Sequence, residues 1–231
     1  MLEKREGWGQ TPLGRAGGWL FRHRTALPLP IAVALLAIPS NQTQGSRWAI
    51  PAGVILTSAG ELLRLWGVWH IGVVSRTRSN RLGPLIESGP FAFVRNPLYL
   101  GNIALWVGFA LVARLIWLTP LILVLLATEY HAIVRWEEAL LESRLGDAYR
   151  DYAARVPRWV PTLHHVRTLH LTLHHRGHWG HGGKDQQGFT SASSVSPVLE
   201  RFSVRDTFFS ERGTLIAMAA GYLLLWLKAR F

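Results

Sequence analysis

The sequence predicts an all-α protein: a polytopic bundle of about four or five transmembrane helices with a helical hairpin near its middle. Three observations point there. Hydrophobic residues make up 49% of the chain and charged residues only 17%, where a soluble domain carries about a quarter. The apolar residues fall in blocks, with no alternating strand pattern and no internal repeat. The chain holds eleven Trp, and Trp48, Trp66, Trp69, Trp117, Trp136 and Trp226 sit at block edges, which suits rings that are dry on one side and wet on the other.

The first 25 residues are polar and basic, with Lys4, Arg5, Arg15, Arg22 and Arg24. Residues 26–39 are apolar but short for a span, which needs about 20 residues. Pro28 and Pro30 break the stretch, so it reads as a retained anchor rather than a signal peptide. A polar turn at 41–47 leads to a second span at 49–74, which carries Glu61, Arg64 and His70. Residues 75–96 form a basic loop with Arg76, Arg78, Arg81 and Arg95, broken by Gly83-Pro84 and Gly89-Pro90. Residues 97–113 and 115–128 are apolar around Arg114. At 1.5 Å per residue the two blocks are too short for two complete spans: either both helices extend into their polar flanks or the stretch is one long helix, and the favoured reading is the hairpin with its turn near Arg114 and its second helix running on through Trp136. The helical pattern continues to about Arg155, and Val156-Pro157-Arg158-Trp159-Val160-Pro161 ends it. Four units follow for the whole chain: the basic segment 1–25, a membrane domain at 26–161, a His/Gly/Ser-rich connector at 162–198, and at 199–231 an amphipathic surface segment followed by a short apolar helix.

Lys and Arg set the orientation. The N-terminus, the 75–96 loop and the 135–158 segment are rich in them, whereas the 40–48 and 113–117 turns hold only Arg47 and Arg114. Four spans up to residue 136 put the three basic segments on the cytoplasmic side, in what reads as a bacterial inner membrane. A fifth span puts the C-terminus outside, which Lys228 and Arg230 fit less well. Net charge is +11. The basic residues flank apolar blocks instead of interleaving with aromatics on a soluble surface, so the lipid bilayer is the expected partner and nucleic acid is not. The chain has no Cys, which excludes disulfides, thiolate metal sites and Cys nucleophiles.

The hairpin brings Arg95-Asn96-Pro97-Leu98-Tyr99 and Arg135-Trp136-Glu137-Glu138 to one membrane face. The first is a helix start, whose free N–H groups favour a carboxylate. The second offers two carboxylates to an amine or to ribose hydroxyls. S-adenosylmethionine carries that complement: a carboxylate, an ammonium, a diol and a sulfonium.

The stretch Ser88-Gly89-Pro90-Phe91-Ala92-Phe93-Val94-Arg95-Asn96-Pro97-Leu98-Tyr99-Leu100-Gly101 resembles the G-P-[YF]-x-[YF]-x-R-H-P-x-Y-x-G motif of the isoprenylcysteine carboxyl methyltransferase and phospholipid methyltransferase superfamily. Glu137-Glu138-Ala139-Leu140 is similar to its E-E-x-x-L. Residues 146–152 and 156–161 are similar to its F-G-x-x-Y-x-x-Y and V-P-R-x-x-P. The resemblance covers roughly residues 50–161. It implies an integral membrane methyltransferase with S-adenosylmethionine as cofactor, a lipophilic methyl acceptor, and a cytoplasmic, cofactor-binding C-terminal extension of the bundle. The cofactor-binding candidates are Arg95, Asn96, Pro97, Leu98, Tyr99, Gly101, Glu137 and Glu138. Glu137 and Glu138 take the ammonium and ribose end, Arg95 and the helix start at Pro97 take the carboxylate, Tyr99 lines the cavity, and Gly101 allows close backbone approach. Arg95, Tyr99 and Arg158 are the catalytic candidates, and no metal is needed. Asn96 stands where the family has His, so no imidazole base is available there. Leu145 replaces a Phe.

Other readings stand beside these. Glu137-Glu138 also suits a solvated helix end, Arg95 and Arg158 suit membrane anchors, and Tyr99 suits an interfacial aromatic. Glu61 and Arg64, three apart, form either a structural pair or a functional one. His70 and His131 read as bundle residues. The spacings His170/His174 and His174/His178 suit a metal, but the surrounding glycines read as a biased linker. The alternatives in function are a non-catalytic membrane protein with a His-rich metal-handling segment, and a family member that binds the cofactor without transferring the methyl group.

Overall fold

A computed structural model describes residues 12–40, 47–71, 85–161 and 204–230. The first eleven residues, 41–46 of the polar turn, the end of the second expected span and the first part of the basic loop (72–84), the His-rich connector with residues 199–203, and residue 231 lie outside the described residues.

Those residues fold into seven helices: α1 (Pro12–His23), α2 (Leu29–Ala37), α3 (Ala49–Ile71), α4 (Pro97–Val112), α5 (Thr119–Leu145), α6 (Asp147–Arg155) and α7 (Val204–Lys228). The hairpin at 97–145 is present. Its turn lies at Arg114, whose φ of 59° breaks the helix after Val112. A 3₁₀ turn, Ile116–Leu118, leads into α5. The helical run Ile116–Leu145 has 30 residues and is long and apolar enough to cross a membrane. Only 28% of its apolar window is buried, unlike the core helix of a soluble protein. Pro97–Val112 is a shorter apolar helix.

The basic N-terminal segment contains a helix, α1, which packs on α5 with Gly17 and Gly18 against Ala132 and Trp136. Two expectations are corrected. The helical pattern running to Arg155 is broken at Gly146, whose φ of 56° suits glycine, so that α6 turns away from α5. The surface segment and short last helix expected at 199–231 are, over 204–228, one continuous helix. Thr207 and Glu211 are buried in it, because both face the bundle rather than a membrane surface.

The centre of the bundle is the antiparallel pair α3/α4. Gly53, Thr57, Gly60, Arg64 and Gly67 recur at alternating intervals of four and three and are all buried, so they form one stripe along α3. A Cβ at Gly60 would lie 2.7 Å from the Gly101 carbonyl oxygen, and one at Gly53 would lie 2.6 Å from that of Gly108. Only glycine permits this backbone approach, the packing mode of helices that lack a hydrophobic drive to associate. The outward positions are large and apolar: Ile55, Leu62, Val124 and Ile216 are 69%, 65%, 62% and 66% exposed. Small and polar residues inside with large apolar residues outside is the distribution a bilayer selects.

An apolar core of Leu35, Ala110, Leu115, Ile122, Leu126 and Leu225 joins α2, α4, α5 and α7 at the end remote from Arg95. There the Lys228 ammonium donates to the Leu35 carbonyl at 2.6 Å and to that of Ile38. These are orphan carbonyls at the end of α2. Lys228 is thereby satisfied at the end of the bundle where the basic-residue count disfavours it.

Candidate functional site at one end of the bundle

Pro97 at the first turn of α4 starts the helix with no N–H to lose. The residues before it are held by the strand-like segment after α6. Arg95 N donates to the Pro157 carbonyl at 2.9 Å, and the Asn96 side-chain amide donates to the Arg158 carbonyl at 3.3 Å. The Tyr152 hydroxyl donates to the Phe91 carbonyl at 2.9 Å. Three stretches of sequence are thus laced together by main-chain acceptors, and their side chains converge.

Glu138 lies at the centre. Its carboxylate accepts from Arg95 at 3.0 Å and from Arg158 through Nε at 3.0 and 3.1 Å and through the terminal nitrogen at 2.5 Å. Two guanidinium groups on one carboxylate leave the cluster one positive charge in excess. The Arg158 pKa is raised, chiefly by its hydrogen bond to Glu138. The Tyr149 phenol, beside Arg95, is pushed up to about 12, mainly by burial and then by the Glu138 charge. It stays a neutral hydrogen-bonding group across the physiological range. Arg95 Nε is buried with no acceptor among the described residues.

Glu137 forms a second centre. It accepts from the Tyr99 hydroxyl at 3.0 Å and lies 4.0 Å from Arg24. The Tyr99 ring packs on Tyr130 with centroids 4.9 Å apart. An open groove of about 780 Å³ runs between α4 and α5, lined by Leu100, Ile103, Ala127, His131, Arg135 and Trp159; Leu100 and Trp159 follow Tyr99 and Arg158 in the chain, but neither acid lines it. That volume lies within the range of small-molecule sites.

Of the residues expected at the site, Arg95, Asn96, Pro97, Tyr99, Glu137, Glu138 and Arg158 share this end of the bundle. Leu98 and Gly101 do not face it. A Cβ at Gly67 would meet Leu98 at 2.9 Å, and the close backbone approach of Gly101 is to Gly60 of α3. Arg95 and Glu138, expected to hold opposite ends of one ligand, pair with each other. Tyr149 and Tyr152 lie in a quoted motif without a role of their own, Arg24 and Tyr130 carry no expected role at the site, and neither do the groove residues His131 and Arg135. The spacing of the last two, four apart on α5, was the readable signal for that face. Among the described residues no group of three His, Asp or Glu is placed to hold a metal ion.

Residues 48–148 match the phospholipid methyltransferase family. This stretch is a domain of that family. Membership implies S-adenosylmethionine-dependent methylation in general terms. The matched domain contains α3, α4, α5 and both acids of the site, while Arg158 and α7 lie beyond it. The chain is also similar to the nickel-cobalt-cadmium resistance protein NccN of Alcaligenes xylosoxydans xylosoxydans, 28% identical across 79% of this chain and 85% of that one. The cobalt-zinc-cadmium resistance protein CzcN of Cupriavidus metallidurans is 26% identical across 68% of this chain and 75% of its own. No solved structure matches the chain.

The family's donor fits the residues present. The orphan Arg95 Nε, the excess positive charge around Glu138 and the free N–H groups at the start of α4 suit a carboxylate. The Glu137 carboxylate, with Tyr99 and Arg24 as its neighbours, suits an ammonium or a diol.

Proposed function

We propose that the protein is an integral membrane methyltransferase that transfers a methyl group from S-adenosylmethionine to a lipophilic acceptor, either a carboxylate of the isoprenylcysteine type or a phospholipid amine. The observation that carries this reading is the convergence of Arg95, Glu138 and Arg158 in one cluster and of Tyr99 and Glu137 in another at the same end of the bundle. S-adenosylmethionine supplies a methyl group already activated by its sulfonium, so the residues need only hold donor and acceptor in line and exclude water. Arg95 and the start of α4 take the donor carboxylate, Glu137 and Glu138 its ammonium and ribose end, and Tyr99 fixes Glu137. The acceptor reaches them along the α4/α5 groove, its apolar part against Leu100, Ile103 and Ala127.

The α1/α2 unit, α3, α4, α5 and α7 make five passages in this reading. The end holding Arg24, Arg95, Arg135, Arg144 and Arg158 faces the cytoplasm of a bacterial inner membrane. Equilibrium dialysis of detergent-purified protein with labelled S-adenosylmethionine tests the site. Binding is expected in the wild type and lost in Glu137→Ala/Glu138→Ala; undiminished binding in the double variant rules the site out.

The names of the two relatives favour a second reading, a part in resistance to divalent transition metals. Deleting residues 164–183 separates the two activities. If metal handling resides in the His-rich segment, the deletion abolishes metal resistance while donor binding persists.

A further inference from the structure

A second charged cluster lies inside the bundle, away from the end just described. The Arg64 guanidinium reaches four partners on three helices. It donates to Glu61 at 3.2 Å, to Glu211 of α7 at 2.6 Å, to Thr214 of α7 at 3.0 Å, and to the Asn102 carbonyl oxygen on α4. The Glu211 side chain is wholly buried and that of Glu61 nearly so. Asn102 and Arg64 both lie near enough to the Tyr130 hydroxyl to act on it electrostatically. Tyr130 packs on Tyr99, and Tyr99 donates to Glu137.

We infer that α7, which lies outside the matched family domain, positions the donor site through this chain, with Glu211 as its anchor and Arg64, Asn102, Tyr130 and Tyr99 as the links to Glu137. The inference rests on the reading of Glu137 as part of the donor site. Bulk stability does not account for the cluster, because a buried ionic group can often be replaced by packed apolar residues without loss. Within a membrane bundle such groups are costly and mark function. A guanidinium also fixes direction as well as charge: its planar fork holds Asn102 at one angle to α7. Because Asn102 and Tyr99 share the first turns of α4, and Tyr130 and Glu137 share one stretch of α5, the setting of Arg64 is passed to the two helices that carry the site.

The test uses the full chain in detergent with fluorotyrosine at its five tyrosines, assigned by Tyr→Phe substitution. In Glu211→Gln the Tyr99 and Tyr130 resonances are expected to shift. The dissociation constant for labelled S-adenosylmethionine should rise about twofold to thirtyfold, the range for mutations along a coupled network. Tyr222→Phe removes the contact of α7 to Thr57 farther along the same interface and should leave both readouts unchanged. If Glu211→Gln does not fold, Glu61→Leu/Arg64→Met/Glu211→Leu replaces it, with the same expectation. Unmoved Tyr99 and Tyr130 signals in the folded variant overturn the relay, as does an equal effect from Tyr222→Phe. Shifted signals in Glu211→Gln, together with a wild type that binds no donor, would leave the relay standing and remove the donor reading instead.

Discussion

The two charged clusters are near mirror images. At the end of the bundle two arginines share one acid: Arg95, Arg158 and Glu138, with side chains 14%, 25% and 12% exposed. In the interior two acids share one arginine: Glu61, Glu211 and Arg64, with side chains 5%, 0% and 10% exposed. The first has positive charge to spare and some contact with solvent, so an incoming carboxylate can take a share of its donors without stranding an ion. The second has its donors committed to partners on three helices, and breaking any contact leaves a buried charge behind. One arrangement suits exchange of partners with a ligand; the other suits holding helices in register.

The largest expected effect tests the interior. Arg64→Ala strands both Glu61 and Glu211 without their counter-ion, a change worth about 3–5 kcal/mol when one partner of a buried pair is removed. In thermal unfolding of detergent-solubilised protein, the variant should lose its cooperative transition or fail to be recovered folded. A fall of only a degree or two in Tm would mean that water reaches the cluster and that the contrast with the outer one is not real.

A smaller effect is expected where the interior is packed rather than charged. Gly60→Ala places a methyl group 2.7 Å from the Gly101 carbonyl and about 3.0 Å from the Ala104 Cβ. Neither neighbour is the free end of a flexible side chain, so α3 and α4 must separate. Overpacking of this kind costs about 1–3 kcal/mol. Because Arg64 Cγ also rests against Gly101, the separation should loosen Arg64 as well. A variant as stable as the wild type would show that the α3/α4 contact is not close-packed.

The two clusters were not equally legible in the sequence. The outer one was, because its parts lie at the outer ends of two apolar blocks that meet at Arg114, and a hairpin turning there makes neighbours of Arg95 and Glu138. The interior one was not, because Glu211 is separated from Arg64 by 147 positions and lies in a segment whose mixture of Phe and charge suits a membrane surface equally well. The Gly53-Thr57-Gly60-Arg64-Gly67 stripe did signal which face of α3 is covered, but no periodicity names the covering helix. Leu98 and Gly101 were grouped with Tyr99 because they share a motif. On a helix, however, residues three apart share a face and their neighbours do not, so Leu98 and Gly101 turn to α3 while Tyr99 turns to Glu137. The break at Gly146 was hidden because the apolar pattern continues on both sides of it. Only its backbone angle separates α5 from α6.

The smallest effect is expected from Arg158→Lys, and it sharpens the contrast most directly. Lysine keeps the positive charge but cannot reproduce the forked contact that Arg158 makes through two of its nitrogens. Glu138 keeps its 3.0 Å partner Arg95, and the side chain of Arg158 is a quarter exposed, so solvent screens what is lost. About 1 kcal/mol or less is expected, as for other partly exposed pairs. The same replacement at Arg64 asks one ammonium to serve Glu61, Asn102, Glu211 and Thr214 at once, with no water to make up the difference. Arg64→Lys should therefore lower Tm clearly more than Arg158→Lys. Equal shifts would mean that the outer cluster is as rigid as the inner one, and a site that cannot exchange partners could not admit a ligand carboxylate between Arg95 and Glu138.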